Sequence, residues 1–332
     1  MKLAVRIAGG AFACVLILAI ALAGWFWIAA YRNRSAPAAD THVIVPQGAT
    51  FAEVARQLAS AGVIDNVLAF RLLARMRAEE GDVHAGEYRF PAHQTQDGVL
   101  RALVSGGAQV ATWVTIPEGY TYRQIARRLE ESGVGGATAF ARAFGRDTLA
   151  VDGSRTKNLE GFLFPSTYLV PLGASPQQVE GIMTAEFFRA MPGDAAARAR
   201  RLHVTVPQAI AVASLVEREA KIDADRPAIA GVIYNRLRLG MPLEVDATIE
   251  YALPEHKREL SFGDLKIDSP YNTYTHAGLP PTPIANPGRP SIEAALNPSN
   301  TGFLYYVYCG NGHHVFANTL AEHQANVARC LQ

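Results

Sequence analysis

Cysteine is scarce in this chain, and the scarcity removes whole classes of chemistry. Of three cysteines, Cys14 lies in a long apolar N-terminal run, leaving Cys309 and Cys330 downstream. That excludes a paired-cysteine zinc site and a disulfide-dense scaffold. Whether Cys309 and Cys330 join in an oxidising compartment is left open by the sequence. No His-Glu-x-x-His occurs; His313, His314 and His323 are the nearest approach to a metal set, but His314 and His323 fall on an expected strand and an expected helix. No metal and no cofactor are therefore expected. A Gly-x-Ser-x-Gly nucleophile turn is missing, as are the glycine loops that cradle phosphates. Charge of either sign is not in excess: the formal net charge is +1, which argues against a nucleic-acid binder, and 49% hydrophobic residues argue against disorder. What remains is carboxylate chemistry.

A second long apolar run is also missing, so the first one matters. Lys2 and Arg6 are followed by uncharged sequence from Ile7 to Tyr31, with Trp25, Trp27 and Tyr31 spaced as an interfacial belt. This length crosses a hydrocarbon core of about 30 Å and exceeds the apolar core of a cleaved signal. A single-pass membrane anchor is expected, although Ser35 to Ala39 faintly resembles a cleavage site. Basic residues flank both ends, Arg32 and Arg34 after the run as well, so charge alone does not orient it. Everything after Arg34 then lies on one side.

Beyond a short Ala/Pro linker comes an internal repeat. VPQGATFAEVARQLASAGV (45–63) matches IPEGYTYRQIARRLEESGV (116–134), sharing among others Pro46/Pro117, Gly48/Gly119, Thr50/Thr121 and Gly62/Gly133. Each copy predicts a strand, a Pro-x-Gly turn, a Thr-capped helix and a terminating glycine. This unit resembles the LysM carbohydrate-binding module, although a generic strand–helix unit without ligand has the same pattern. A second helix over Val67 to Glu79 and a strand–loop–helix ending at Gly106-Gly107 complete a small module.

Further on, Asn158 to Tyr168 reads NLEGFLFPSTY, placing Glu160 among Phe162, Phe164 and Tyr168. The composition suits a sugar site, and it suits a core equally. Residues 175–200 read as one amphipathic helix. Thr205 begins another with capping-box spacing to Gln208 and Pro207 in its first turn. On that helix Val212, Leu215, Val216 and Glu219 share one stripe, which aims a carboxylate inward. Burial would raise its pKa and keep it protonated, as a general acid must be; the other reading is half of an ion pair. Glu217, about 200° round the helix, is expected in solvent. A second helix spans Pro227 to Leu239, and after it SPYNTYTHAGLPPTPIANPG is a long Pro/Gly/Asn loop of the kind that carries function. Phe303 to Tyr308 predicts a strand, Gly310 to Gly312 a hairpin turn, and Leu320 to Leu331 a closing helix.

The order of SLVEREA, GVIYNRLRLGMPLEVDATIEYAL, SPYNTYTHAGLPPTPIANPG and HHVFANTLAEH, with LEGFLFPSTY before them, resembles the endolytic murein transglycosylases of the YceG-like type over most of Ile116 to Val327. The resemblance implies an α+β protein with this layout: tail 1–6, transmembrane helix 7–31, linker 32–40, small LysM-like module 41–108 and larger mixed α+β lytic transglycosylase domain 109–332. It implies cleavage of the MurNAc–GlcNAc β-1,4 bond within nascent glycan strands at the outer face of the cytoplasmic membrane. Anhydro ends, terminated glycan elongation and peptidoglycan synthases as neighbours are implied as well. The family's catalytic glutamate falls on Glu219, with Asp246, Glu244 and Glu160 as neighbours, and Glu160, Asn235, Asp246, Tyr271, Asn272, Tyr274 and His314 as sugar-binding candidates. Ala220, Glu244, Ala247 and Ser166 depart from the family's pattern, which keeps a non-catalytic wall-binding role as the competing expectation.

Overall fold

A computed structural model describes residues 2–32, 40–46, 48–254, 257, 259–310 and 312–330, and side chains from residue 12 onward. Most of the 32–40 linker, Asn311 of the hairpin turn, and the last two residues lie outside the described set.

Two compact units divide the chain: one comprises residues 1–112 and 169–175, the other 113–168 and 176–332. The first begins with α1 (Lys2–Tyr31). From Phe12 to Tyr31 its mean hydropathy is 2.4, and the side chains from Phe12 to Trp25 are exposed, as an apolar helix able to cross a membrane requires. Next come β1 (Thr41–Val45), α2 (Phe51–Ser60), α3 (Val67–Arg77), β2 (Gly86–Phe90) and α4 (Gln96–Ser105). β1 and β2 pair antiparallel, Val43 opposite Tyr88. Alternation sends Val43, Val45, Tyr88 and Phe90 into a core with Leu58, Phe70, Leu73, Leu100 and Leu103.

β3 (Ala111–Thr115) and α5 (Tyr122–Glu131) form the second copy of the repeat. Its local geometry reproduces the first. Thr50 caps α2 in a capping box with Glu53, and Thr121 caps α5 in one with Gln124. Gly48 and Gly119 both sit at φ 77°, while Gly62 and Gly133, one residue past the helix caps, sit at 72° and 75°. Those left-handed positions are why glycine recurs there.

Continuing, the chain forms α6 (Ala137–Phe144), the short pair β4 (Ala150–Val151) and β5 (Ser154–Arg155), and β6 (Thr167–Pro171), which pairs with β3. The expected single helix over 175–200 is two, α7 (Pro176–Ala190) and α8 (Ala195–Arg201). Pro192-Gly193 breaks it, since proline blocks the helical hydrogen bond and glycine loosens the backbone.

The second unit is built round α9 (Val206–Glu219), capped by Thr205 and Gln208 as its sequence predicts. Every residue from Ala209 to Val216 is buried, so α9 is a core helix on all sides. It packs against α10 (Arg226–Leu239) and α12 (Arg289–Leu296); α11 (Asp246–Ala252) lies between α10 and α12 in sequence. Phe162 is 1% exposed and packs edge-on against Phe187, and Tyr168 donates to the Phe164 carbonyl, so the aromatic cluster round Glu160 is core. The chain closes with β7 (Tyr305–Tyr308), β8 (His314–Ala317) and α13 (Leu320–Cys330). A disulfide joins Cys309, at the end of β7, to Cys330 on α13, with Cα atoms 4.5 Å apart.

Candidate active site

α9 ends at Glu219: the Ala220 amide still bonds to the Val216 carbonyl, but Ala220 turns extended at ψ 133° and carries the chain away. The Glu219 carboxyl is thereby left at the wall of an open cleft of 640 Å³. Helix α11 contributes Asp246, Ala247 and Glu250 to that cleft, the 269–288 loop contributes Tyr274, and the β7–β8 hairpin contributes Tyr306, Tyr308 and His314.

Glu219 makes no ion pair among the described residues; the Tyr306 hydroxyl donates to its Oε2 at 3.0 Å. Burial pushes its pKa up, and the charges of Asp246 and Glu250 push the same way, while the Tyr306 hydrogen bond and Lys221 oppose them. The result is a carboxyl group that holds its proton to higher pH than an exposed glutamate does, at the wall of a polar cleft. Such a group can give a proton to a leaving oxygen and take one back.

The other cleft residues are held by partners of their own. Tyr274 donates to Asp246 Oδ1 at 2.5 Å, and burial followed by that carboxylate raises the tyrosine's pKa. Asp225 accepts from both the His314 backbone amide, at 2.7 Å, and Nδ1, at 2.9 Å, which fixes the imidazole in its Nδ1–H form and leaves Nε2 as the second ring nitrogen. Glu244, in the left-handed region at φ 54°, pairs with Arg236 at 3.1 Å. Arg236 also donates to the carbonyls of Leu304, Pro242 and Leu243, so the extra acid that this sequence carries at Glu244 meets a fixed cation.

Of the residues proposed from sequence, Glu219, Asp246, Tyr274 and His314 come together here, with Glu244. Four lie elsewhere. Glu160 is fully buried, accepting from the Tyr122 amide and the Asn286 side chain. Asn235 donates to the Thr301 and Phe303 carbonyls, and Asn272 to those of Leu265 and Ile267. Tyr271 bonds to Thr282 and packs on Tyr251. The two asparagines hold loop backbone, which cannot be buried unpaired.

Glu217 corrects the sequence reading outright. Its side chain is 7% exposed, lies 3.3 Å from the Arg226 guanidinium and accepts from the Gly288 amide at 2.9 Å. It ties α9 to the starts of α10 and α12. Arg226 retains Asp223 and Ser291 as partners, so Glu217→Gln should cost about 2 kcal/mol of stability, measured by urea unfolding.

Tyr306, Arg236 and Lys221 are the residues that sequence reasoning missed. Strand alternation in Tyr305 to Tyr308 offered a signal for the first, since one face had to look toward the cleft, but not which one. No group of residues able to hold a metal occurs among the described residues.

Comparisons with known proteins bear on the same region. A family model described as the YceG-like family matches residues 43–329. The endolytic murein transglycosylase of Bacillus subtilis (strain 168) is 34% identical over 299 residues, covering 85% of this chain and 82% of that protein. Its namesake in Streptococcus pneumoniae serotype 2 is 31% identical over 317 residues, 86% of this chain but 57% of the relative's length. A crystal structure of a yceG-like protein from Listeria monocytogenes is 29% identical, with a TM-score of 0.57 over 87% of this chain and 99% of that one.

Proposed function

Because the chain belongs to the YceG-like family, we propose that it is an endolytic murein transglycosylase, cutting glycan strands of peptidoglycan at internal MurNAc–GlcNAc bonds. The observation that carries this reading is Glu219: a carboxyl whose pKa burial raises, without an ion pair among the described residues, facing an open cleft. Glu219 protonates the glycosidic oxygen as the bond to the MurNAc anomeric carbon breaks. Its carboxylate then accepts the proton of the C6 hydroxyl while that oxygen bonds to the same carbon. The product is a 1,6-anhydro end, no water is consumed, and one carboxyl group acts as acid and then base, where hydrolytic glycosidases use two. Asp246 with Tyr274, and His314 with Asp225, orient the sugar.

The anchor α1 keeps the enzyme at the cytoplasmic membrane, with the chain after it on the outer side next to nascent strands and their synthases. The Cys309–Cys330 bridge supports that placement, because disulfides persist in oxidising compartments. The first unit, with its LysM-like strand–turn–helix, holds the strand, and cleavage terminates its elongation. Digestion of purified glycan strands followed by mass spectrometry of the new ends tests the chemistry: anhydro ends are expected. Reducing MurNAc ends would make the protein a hydrolase, and intact strands a wall-binding protein.

A further inference from the structure

A second cavity adjoins the catalytic cleft. It measures 150 Å³ and shares Arg218, Ala247 and Glu250 with the cleft, so the two run into each other across α11. At the junction Arg218, the residue before Glu219, reaches Glu250 at 2.8 Å through Nη2. The far wall is α5, whose exposed face presents Arg123 and Arg127. Neither makes an ion pair among the described residues.

Arg123 is nonetheless placed: its guanidinium lies 4.9 Å from the ring centre of Tyr122 and 5.9 Å from that of Tyr251, the latter on α11. Stacking of this kind holds the planar fork while leaving its N–H edge free. The internal repeat supplies a control within the chain. In the first copy the positions of Arg123, Gln124 and Arg127 are Ala52, Glu53 and Arg56. Only the copy beside the cleft has the paired cationic face.

We propose that Arg123 and Arg127, beside the Arg218–Glu250 pair at the junction, form a carboxylate-binding subsite for the acidic peptide stems borne by the glycan strand. The proposal rests on the transglycosylase reading, since that reading puts muramyl residues in the neighbouring cleft. The chemistry fits: guanidinium forks recognise carboxylates in two-point fashion, and a cavity this small takes the end of a side branch, not a second polymer. Glu219 and Asp246 line only the cleft, and Glu250, shared by both cavities, is already paired with Arg218, so the guanidinium groups without an ion pair that draw the acidic stems are those on the α5 side.

The test compares full-length protein in detergent on glycan strands that keep their peptides and on strands stripped by an amidase. Wild type should prefer the peptide-bearing strands by roughly tenfold in kcat/KM, expressed in KM, with the preference shrinking as salt is raised. In the Arg123→Gln/Arg127→Gln double variant the ratio should approach one, and Arg127→Glu should push it lower, while melting temperatures report that the fold is kept. A wild type that cleaves both substrates equally, or a double variant that keeps the preference, overturns the subsite and leaves the catalytic reading standing. A wild type that cleaves neither overturns the reading itself, and the subsite with it.

Discussion

Glu219→Gln should lower the rate of glycan cleavage by at least about 10³-fold with the fold intact. The size follows from the double use of the group: proton transfer by one positioned residue is worth about 10²–10⁴-fold, and here the same carboxyl serves both halves of the reaction. The amide is the right replacement because its carbonyl still accepts from the Tyr306 hydroxyl and its volume is unchanged. The pH profile gives an independent reading. The first step needs the protonated acid, whose pKa burial raises above the ordinary 4.5, so kcat/KM should hold at low pH and fall as pH rises through that higher value. An unshifted alkaline limb, or a glutamine variant with near-normal turnover measured by anhydro-end formation, would remove Glu219 from the role.

The second large effect is on stability and comes from Glu160. Its side chain is fully buried, and burial pushes its pKa up to about 8, against the lowering pull of the Tyr122 amide, Tyr251, Arg123 and Asn286. The folded state therefore keeps a proton that the unfolded chain gives up near 4.5. The stabilising contribution of the neutral acid is fully present below pH 4.5 and is lost progressively as pH rises to about 8. Between pH 5 and pH 8.5 the wild type should lose on the order of 3 kcal/mol through this one group. Glu160→Gln keeps the acceptor for Tyr122 and Asn286 and carries no titrating proton. It should be near neutral at pH 5 and more stable than wild type at pH 8.5, read from melting temperatures at the two values. Parallel pH dependence in the two proteins would assign the loss to other groups.

What could be read from the sequence was mainly what is local. Thr50, Thr121 and Thr205 announced helix starts because a cap and its N3 partner lie within one turn, and the repeat's glycines announced left-handed residues. Pro192-Gly193 was equally local, yet the apolar periodicity on both sides ran through it and predicted one helix. The stripe that singled out Glu219 proved less selective than it looked, since α9 is buried on every side from Ala209 to Val216. Periodicity then says nothing about Glu217 against Glu219. The distinction is made by Arg226, at the start of α10, folding back onto Glu217, a pairing that spacing along the chain does not encode. Asn272 and Asn235 became sugar-binding candidates with the family resemblance, but their amides are spent on buried carbonyls, of which a long loop packed into a core has many.

The point at which α9 stops has an electrostatic meaning of its own. Peptide dipoles in a helix align, so the carbonyl end carries a partial negative charge of about half an electron. Glu219 is the final helical residue, and it sits at that negative pole. The pole disfavours a carboxylate and so adds to burial in keeping the proton on. At the amide end of a helix the same glutamate would be drawn toward its ionised form. The direction in which the chain threads this helix is thus part of what makes Glu219 an acid.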